Sequence, residues 1–279
     1  MKLIFAQQGM REFMTSLSVT LNKKTSNILF DMIKKIIFIV MLLFSFTSCN
    51  KDDVDSIQLF EKLFYSDLDN KLWKHRVNEI DDANKYLESF IGLELDVFYN
   101  NNDRFYVSHD DDFDVNLTIT FKEYLSGIDN VSDHYYWVDF KNLNGANDEN
   151  SLKRMLKVMD EFGIKKNTIV ESTNHTSLKK YNEKDIYTSY WVPTHFYNGV
   201  LSEVNLQDLK EIRQNLSECE HIALSSHSNN LLFLTDHFNE YNLHLWTNGL
   251  IGDDAKEIIN NLKTYSNVKV ILIDYEEPF

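Results

Sequence analysis

The sequence predicts an α/β protein folded as a single-domain (β/α)8 barrel, the TIM barrel architecture. Eight short apolar runs recur along the chain. Several are near-continuous in Val, Ile and Leu, which is typical of strands buried on both faces of a parallel sheet. Helical patterns separate the runs, and neither a repeat nor a linker divides the chain after residue 54. Eight strands alternating with helices over about 210 residues favour a closed barrel, with an open doubly wound sheet as the alternative.

The predicted elements follow one another in a regular order. Strands are expected at residues 72–75, 92–97, 135–140, 168–171, 186–192, 221–225, 243–247 and 268–274. Helical patterns cover residues 81–90, 152–162, 206–216 and 254–265. Thr120 and Glu123 have the spacing of a capping box, so a further helix is expected to begin there. Only two prolines and eight glycines occur, which excludes collagenous and Pro/Gly-rich disordered classes.

The residues before position 49 are expected to precede the folded part. An apolar stretch of eleven residues, 36–46, follows Lys34 and Lys35. It is too short for a comfortable membrane span, which needs about 20 apolar residues, and its layout is typical of a secretory signal peptide. The predicted boundaries are an over-long, unstructured start at 1–31, a lipoprotein signal peptide at 32–48, a tether at 49–56 and the barrel at 57–279.

The predicted signal peptide ends in Phe46-Thr-Ser-Cys49, which resembles a bacterial lipobox. Cys49 would then carry the lipid that anchors the protein to a membrane; a plain cleaved signal or an uncleaved anchor helix is the alternative. Residues 50–53 resemble the signal that sends some Gram-negative lipoproteins to the cell surface, and they fit a solvated tether equally well. The expected location is therefore the cell envelope, in the outer membrane of a Gram-negative bacterium. With Cys49 modified, only Cys219 remains, so no internal disulfide is expected.

The charge balance restricts the possible partners. The net charge is −15, from 43 acidic and 28 basic side chains. The first 49 residues hold six of the basic and only two of the acidic side chains, so the rest of the chain is more acidic still. A folded domain with this negative charge repels the phosphates of nucleic acids and anionic membrane surfaces. Nucleic-acid binding is therefore excluded.

Carboxylates gather at the ends of two predicted strands. Glu94 and Asp96 are two residues apart on one strand, so their side chains point to the same side. Two neighbouring carboxylates repel each other unless a cation or a shared proton intervenes, and hard oxygen ligands favour Mg²⁺ or Ca²⁺. On the next long strand, Asp139 can supply a third carboxylate, and Lys141 can offer a charge to a phosphate oxygen.

Two histidines accompany these carboxylates. His75 ends the first predicted strand, and His109 lies in the loop after the second. Imidazoles suit general acid–base catalysis near neutral pH, although a single histidine is more often a surface or core residue. The C-terminal ends of barrel strands are where active sites are built, which favours one joint site at that rim.

Seven short segments occur in the order and spacing of a known family. They are His75-Arg-Val-Asn78, Gly92-Leu-Glu-Leu-Asp-Val97, Val107-Ser-His-Asp110, Val138-Asp-Phe-Lys141, Glu171-Ser172, Trp246-Thr247 and Ile273-Asp-Tyr275. The set resembles the glycerophosphodiester phosphodiesterase superfamily over residues 72–276. The family's usual Pro-Glu-Asn-Thr motif is missing after His75. In this respect the chain is more similar to the sphingomyelinase D-like phospholipase branch, whose toxins hold their catalytic loop with a disulfide.

The resemblance implies a (β/α)8 barrel and roles for nine residues of this chain. It gives His75, His109 and Lys141 as catalytic groups, Arg76, Asn78 and Trp246 as substrate-binding groups, and Glu94, Asp96 and Asp139 as ligands of one Mg²⁺ or Ca²⁺. Arg76 fits a rim ion pair equally well, and core packing explains Trp246 equally well.

The activity that this resemblance implies is metal-dependent cleavage of a phosphodiester. The expected substrate is a glycerophosphodiester or a lysophospholipid head group. One alternative is a catalytically inactive surface lipoprotein that binds phosphate esters or glycans, for which the loss of a histidine or carboxylate would be expected. A glycosidase with two carboxylates is another alternative, although the lysine and two histidines suit a phosphate better than a sugar.

Overall fold

Parallel strands form a closed barrel in the computed structural model of this chain, which describes Tyr65 and residues 70–192, 206–219 and 222–279. The strands are β1 (Leu72–Lys74), β2 (Gly92–Asn100), β3 (Arg104–Val107), β4 (Tyr135–Phe140), β5 (Thr168–Ser172), β6 (Tyr187–Trp191), β7 (Ile222–His227), β8 (Leu243–Trp246) and β9 (Val268–Ile273). All except β3 pair in parallel in the order β1-β2-β4-β5-β6-β7-β8-β9.

The first strand closes the ring. In β1, Lys74 is in register with Leu93 of β2 and also with Ile273 of β9. A strand that pairs on both sides with the two ends of the series leaves no open edge in the barrel. This closure confirms the predicted (β/α)8 barrel and shows that the open doubly wound alternative is wrong.

Seven helices lie between the barrel strands in the described part of the chain. They are α1 (Ile80–Leu87), α2 (Phe121–Ser126), α3 (Asp148–Phe162), α4 (His175–Asn182), α5 (Leu206–Ser217), α6 (Leu231–His237) and α7 (Asp253–Lys263). The predicted capping box begins α2: the Glu123 N–H donates to Thr120 Oγ1, and the Thr120 N–H donates to the Glu123 carboxylate. This motif satisfies two backbone donors at the start of the helix.

The pattern analysis did not identify three short elements. Strand β3 is antiparallel to β2 and forms a hairpin with it, so it lies outside the alternation of strands and helices that the sequence predicts. Asp103 adopts the left-handed conformation, with φ 61°, in the turn between these strands. Helices α4 and α6 span eight and seven residues, which is about two turns each and too short for a clear helical period.

Large aromatic side chains fill the inside of the barrel. The interior cluster contains Trp73, Trp137, Ile169, Tyr187, Ala223, Trp246, Val270 and Leu272. Gly92 passes so close to Trp73 that a Cβ there would lie 2.7 Å from the indole. The fully buried His244 bonds Tyr65 at 2.6 Å and Ser189 at 2.9 Å, and burial lowers its pKa to about 3. This histidine is neutral and structural.

The predicted signal peptide, Cys49 and the tether lie outside the described residues. In the ranges that the structure describes, no helix combines the length and the hydrophobicity needed to cross a bilayer.

Candidate active site

A cavity of about 110 Å³ lies at the C-terminal ends of the barrel strands. Its lining consists of His75, Arg76, Glu94, Asp96, His109, Asp139, Lys141, Glu171, Trp191, Trp246, Asn248 and Leu272. Eight of the nine predicted site residues therefore meet at one place. The ninth, Asn78, lies beside the cavity without lining it.

Three buried carboxylates form the core of the site. Glu94 and Asp96 point to the same side of β2, and Asp139 is the register partner of Asp96 on the neighbouring β4. One oxygen from each carboxylate lies within 4.8 Å of the others. The exposed fractions are 3% for Glu94, 1% for Asp96 and 7% for Asp139, so water screens their mutual repulsion very little.

The electrostatics of this cluster fit a hard divalent cation. Burial, with the charges of Asp96 and Asp139, raises the pKa of Glu94 well above its ordinary value. Burial also raises the pKa of Asp139, whose Oδ1 has no hydrogen-bond partner within the described part of the chain. Oxygen donors of this kind suit Mg²⁺ or Ca²⁺. The residues that would hold the ion are Glu94, Asp96 and Asp139.

Lys141 forms ion pairs with two of these carboxylates. Its Nζ lies 2.7 Å from Asp96 Oδ1 and also donates to Asp139 Oδ2. Burial lowers the pKa of Lys141, but Asp139 and Asp96 outweigh this effect and raise it above the ordinary lysine value. Lys141 is therefore a fixed cation at the wall of the cavity, available to an anionic substrate.

Asn78 holds Asp96 with both ends of its side-chain amide. Its Nδ2 donates to Asp96 Oδ2 at 2.8 Å, and its Oδ1 accepts from the Asp96 backbone N–H at 2.9 Å. The role in substrate binding that the sequence predicts for Asn78 stays a prediction. Its contacts favour a role in orienting Asp96.

His75 is oriented by a carboxylate from the last strand's end. Its Nδ1 lies 2.9 Å from Asp274 Oδ1, and Asp274 Oδ2 accepts from the Gly249 N–H at 2.9 Å. The hydrogen bond with His75 lowers the pKa of Asp274 to about 2, so Asp274 is ionised and Nδ1 carries the proton. The free nitrogen is Nε2, which lies 3.8 Å from Glu94 Oε2.

The backbone after His75 contacts the carboxylate of Glu94. Arg76 adopts the left-handed conformation, with φ 54°, and its N–H donates to Glu94 Oε2 at 2.8 Å. The conformation is unusual for a residue with a Cβ and is compensated here by this hydrogen bond. Arg76 thus orients Glu94 through its backbone, while its side chain is exposed at the cavity.

His109 reaches the cavity from the loop that follows the β2–β3 hairpin. It follows β3, so the loop that carries it begins at the β2–β3 hairpin, a strand later than predicted. Its Nδ1 lies 2.8 Å from Asp110 Oδ1, which leaves Nε2 as the nitrogen available for proton transfer. Both histidines therefore have a carboxylate at Nδ1.

Sequence reasoning gave Glu171 a position at a strand end but no role. It lines the cavity from β5, in register with Asp139, and its Oε2 accepts from Trp137 Nε1 at 2.8 Å. Burial, followed by the charge of Asp139, raises the pKa of Glu171 to about 8. The signal in the sequence was its place at the C-terminal end of the predicted strand 168–171; its position level with Asp139 is seen in the structure.

Two tryptophans form an apolar wall. The rings of Trp191 and Trp246 pack edge to face with centroids 5.4 Å apart, and both line the cavity. Trp246 is also part of the interior aromatic cluster, so it belongs both to the core and to the site.

Replacing Asp274 by Asn is expected to change the acid stability of the protein. Its folded pKa of about 2 lies below the ordinary 3.8, so ionised Asp274 stabilises the fold above pH 4. This contribution is lost as the pH falls from 4 to 2. Because the group is partly exposed, we expect a difference of about 1 kcal/mol between parent and variant at pH 5. Urea unfolding at pH 5 and 3 measures it, and a difference that does not shrink at pH 3 contradicts this assignment.

No protein-family model matches the sequence, and no curated protein matches it either. Solved structures do match the fold. A glycerophosphodiester phosphodiesterase from Parabacteroides distasonis aligns with a TM-score of 0.53 and 17% identity, covering 73% of this chain and 92% of that chain. One from Thermotoga maritima has a TM-score of 0.51 and 16% identity, with coverages of 74% and 95%.

A phosphodiesterase from Oleispira antarctica, solved in complex with the product sn-glycerol-3-phosphate, aligns with a TM-score of 0.52 and 15% identity. The match covers 76% of this chain and 96% of that chain. At these identities the similarity shows a shared fold and nothing more. This chain has the (β/α)8 barrel that solved glycerophosphodiester phosphodiesterases share.

Proposed function

We propose that the protein is a metal-dependent phosphodiesterase that cleaves a glycerophosphodiester or a lysophospholipid head group by two-histidine acid–base catalysis. The observation that carries the proposal is the grouping of His75 and His109 around one cavity with a half-buried lysine and three buried carboxylates. The phosphodiesterase names of the solved structures with this fold support the same reaction class.

The two histidines would move protons on either side of phosphorus. One Nε2 accepts the proton of the attacking hydroxyl while its oxygen bonds to phosphorus. The other Nε2–H gives a proton to the departing alcohol oxygen as its bond to phosphorus breaks. Asp274 and Asp110 hold the Nδ1 sides, so each Nε2 stays directed toward the reaction.

The charged groups would act on the phosphate itself. Lys141 binds an anionic phosphate oxygen, and the Arg76 side chain at the cavity can bind another. A divalent ion bound by the three carboxylates would supply positive charge to a phosphate oxygen. The indole wall of Trp191 and Trp246 would exclude water from one side of the cavity.

The reaction product shows which branch of the family this chain follows, the one that forms a cyclic phosphate or the one that hydrolyses the diester. We expect a cyclic phosphate from a lysophospholipid, because the neighbouring hydroxyl of the substrate is held near phosphorus at a high effective concentration. Phosphorus NMR of the early reaction mixture with a lysophosphatidylcholine, with and without Mg²⁺ or Ca²⁺, identifies the product.

A linear phosphomonoester as the only early product would assign the chain to the hydrolytic branch. Choline release without a phosphorus signal for a cyclic ester would do the same. No turnover of any glycerophosphodiester or lysolipid would contradict the proposed function and favour a binding lipoprotein.

We further propose that the protein is lipid-anchored through Cys49 in the outer membrane. The sequence support is the apolar stretch 36–46 followed by Phe46-Thr-Ser-Cys49. Changing Cys49 to Ser is expected to release the protein from membranes or to stop its processing. Partition into detergent separates the outcomes: a serine variant that still partitions like the parent would indicate an anchor helix.

A further inference from the structure

The loop that carries His109 contains no helix or strand. It covers residues 108–118, between β3 and α2, and is called the His109 loop below. Two backbone hydrogen bonds fix its base, from the Val107 N–H to Ile119 O at 3.0 Å and from the Ser108 N–H to Asp96 O at 3.1 Å. These bonds fix where the loop leaves and returns, while the middle of the loop needs a contact of its own.

Phe113 supplies that contact. Between residues 109 and 117, all of which the structure describes, Phe113 alone is not exposed. Its ring centroid lies 5.6 Å from that of Phe98 and 5.4 Å from that of Tyr106. Aromatic rings at such separations attract each other beyond the effect of buried area. Phe113 therefore fastens the middle of the His109 loop to the β2–β3 hairpin.

The two rings beneath Phe113 are fixed relative to the carboxylates. Phe98 and Tyr106 are register partners across the hairpin, so they share one face. Phe98 follows Asp96 by two residues on β2, which places it on the same side of the strand as that carboxylate. Tyr106 is buried, and its hydroxyl accepts from Asn102 Nδ2 at 2.8 Å. Phe113 thus packs on two aromatic rings, one of which belongs to β2, the strand that carries Glu94 and Asp96.

The geometry points to Phe113 as a positioning residue for His109. The His109 imidazole is exposed at the rim, and its hydrogen bond goes to Asp110, its neighbour within the same loop. Because that contact moves with the loop, the position of the loop decides where the imidazole lies in the cavity. The inference rests on the proposed function, in which His109 transfers a proton.

The test compares Phe113→Ala with variants of the same loop. We expect kcat to fall about 10- to 100-fold with KM changed less than about twofold, because misplacing a proton-transfer group costs rate rather than binding. Phe113→Tyr keeps the ring and should restore most of kcat. Leu117→Ala is the matched control, since Leu117 is 83% exposed in the same loop.

A double-mutant cycle distinguishes positioning from general damage. In a His109→Ala background, Phe113→Ala should cost less than about twofold, because the residue that it positions is gone. An equal loss in both backgrounds, or no loss in the parent background, would overturn the inference.

Limited proteolysis gives a readout that needs no turnover. Cleavage within 108–118 should be faster in Phe113→Ala than in Leu117→Ala while the two variants melt at the same temperature. If the parent protein turns over no phosphodiester, the proposed function fails, and proteolysis alone decides the role of Phe113. Unchanged cleavage of the loop in Phe113→Ala would then overturn the inference.

Discussion

His75→Ala is expected to lower kcat/KM for a phosphodiester by 10²- to 10⁴-fold, the range for a positioned acid–base group. The reason is the pairing of His75 with the ionised Asp274, which fixes the proton on Nδ1 and leaves Nε2 free beside Glu94. His109→Ala is expected to lose activity in the same range. Initial rates at subsaturating substrate measure both effects.

A substrate with an activated leaving group assigns the two roles. A p-nitrophenyl phosphodiester needs little protonation of its leaving oxygen, so the variant that lacks the general acid should regain most of its rate on it. The variant that lacks the base should stay slow on both substrates. His134→Ala is the matched control, because His134 immediately precedes β4 at the other end of the barrel. Unchanged rates in both His75→Ala and His109→Ala would show that these two histidines do not catalyse the reaction.

The strands of the barrel were the most predictable part of the fold. Strands buried on both faces have long apolar runs, such as 135–140 and 268–274, and the structure has strands at both places. The hairpin strand β3 was missed because it follows β2 directly, outside the alternation of strands and helices on which the strand predictions relied. Whether the sheet closes depends on pairing between β1 and β9, almost 200 residues apart, which no local pattern encodes.

The site was predictable where a strand fixes the direction of the side chain. The spacing of Glu94 and Asp96 gives their common side, and the parallel register brings Asp139 next to Asp96. Contacts made by loops and strand ends were harder to predict from the sequence. The partnership of His75 with Asp274 joins opposite ends of the folded chain, and the amide contacts of Asn78 depend on the turn after β1.

Glu171 shows a further limit of sequence analysis. A carboxylate at a strand end is usually solvated, and only the closed barrel shows that this one is buried beside Asp139. Its raised pKa, about 8, arises from that burial. No motif of a single strand carries this information, because the charge that adds to the effect of burial belongs to Asp139 on the neighbouring β4.

Removal of divalent ions is expected to abolish the activity and to lower the melting temperature. Glu94, Asp96 and Asp139 repel one another when ionised, and a cation bound only by the folded state offsets this repulsion. An ion at 100 times its dissociation constant stabilises the folded state by about 2.7 kcal/mol. Calorimetry with EDTA, Mg²⁺ and Ca²⁺ measures the shift and ranks the two ions.

Asp139→Asn tests the ligand set without changing the size of the side chain. We expect the ion-induced shift to disappear in this variant, because one of three charged donors is lost. Asp148→Asn is the matched control: Asp148 is also buried, but it pairs with Lys180 away from the cavity. That variant should keep the ion-induced shift even if its own melting temperature is lower.

The affinity for the ion should also weaken in acid. Burial raises the pKa values of Glu94 and Asp139, so protons compete with the cation at a higher pH than for ordinary carboxylates. The ion concentration needed for half of the maximal activity should therefore increase as the pH falls from 7 to 5. Full activity in excess EDTA, or equal ion-induced shifts in the parent and in Asp139→Asn, would show that these three carboxylates bind no catalytic metal.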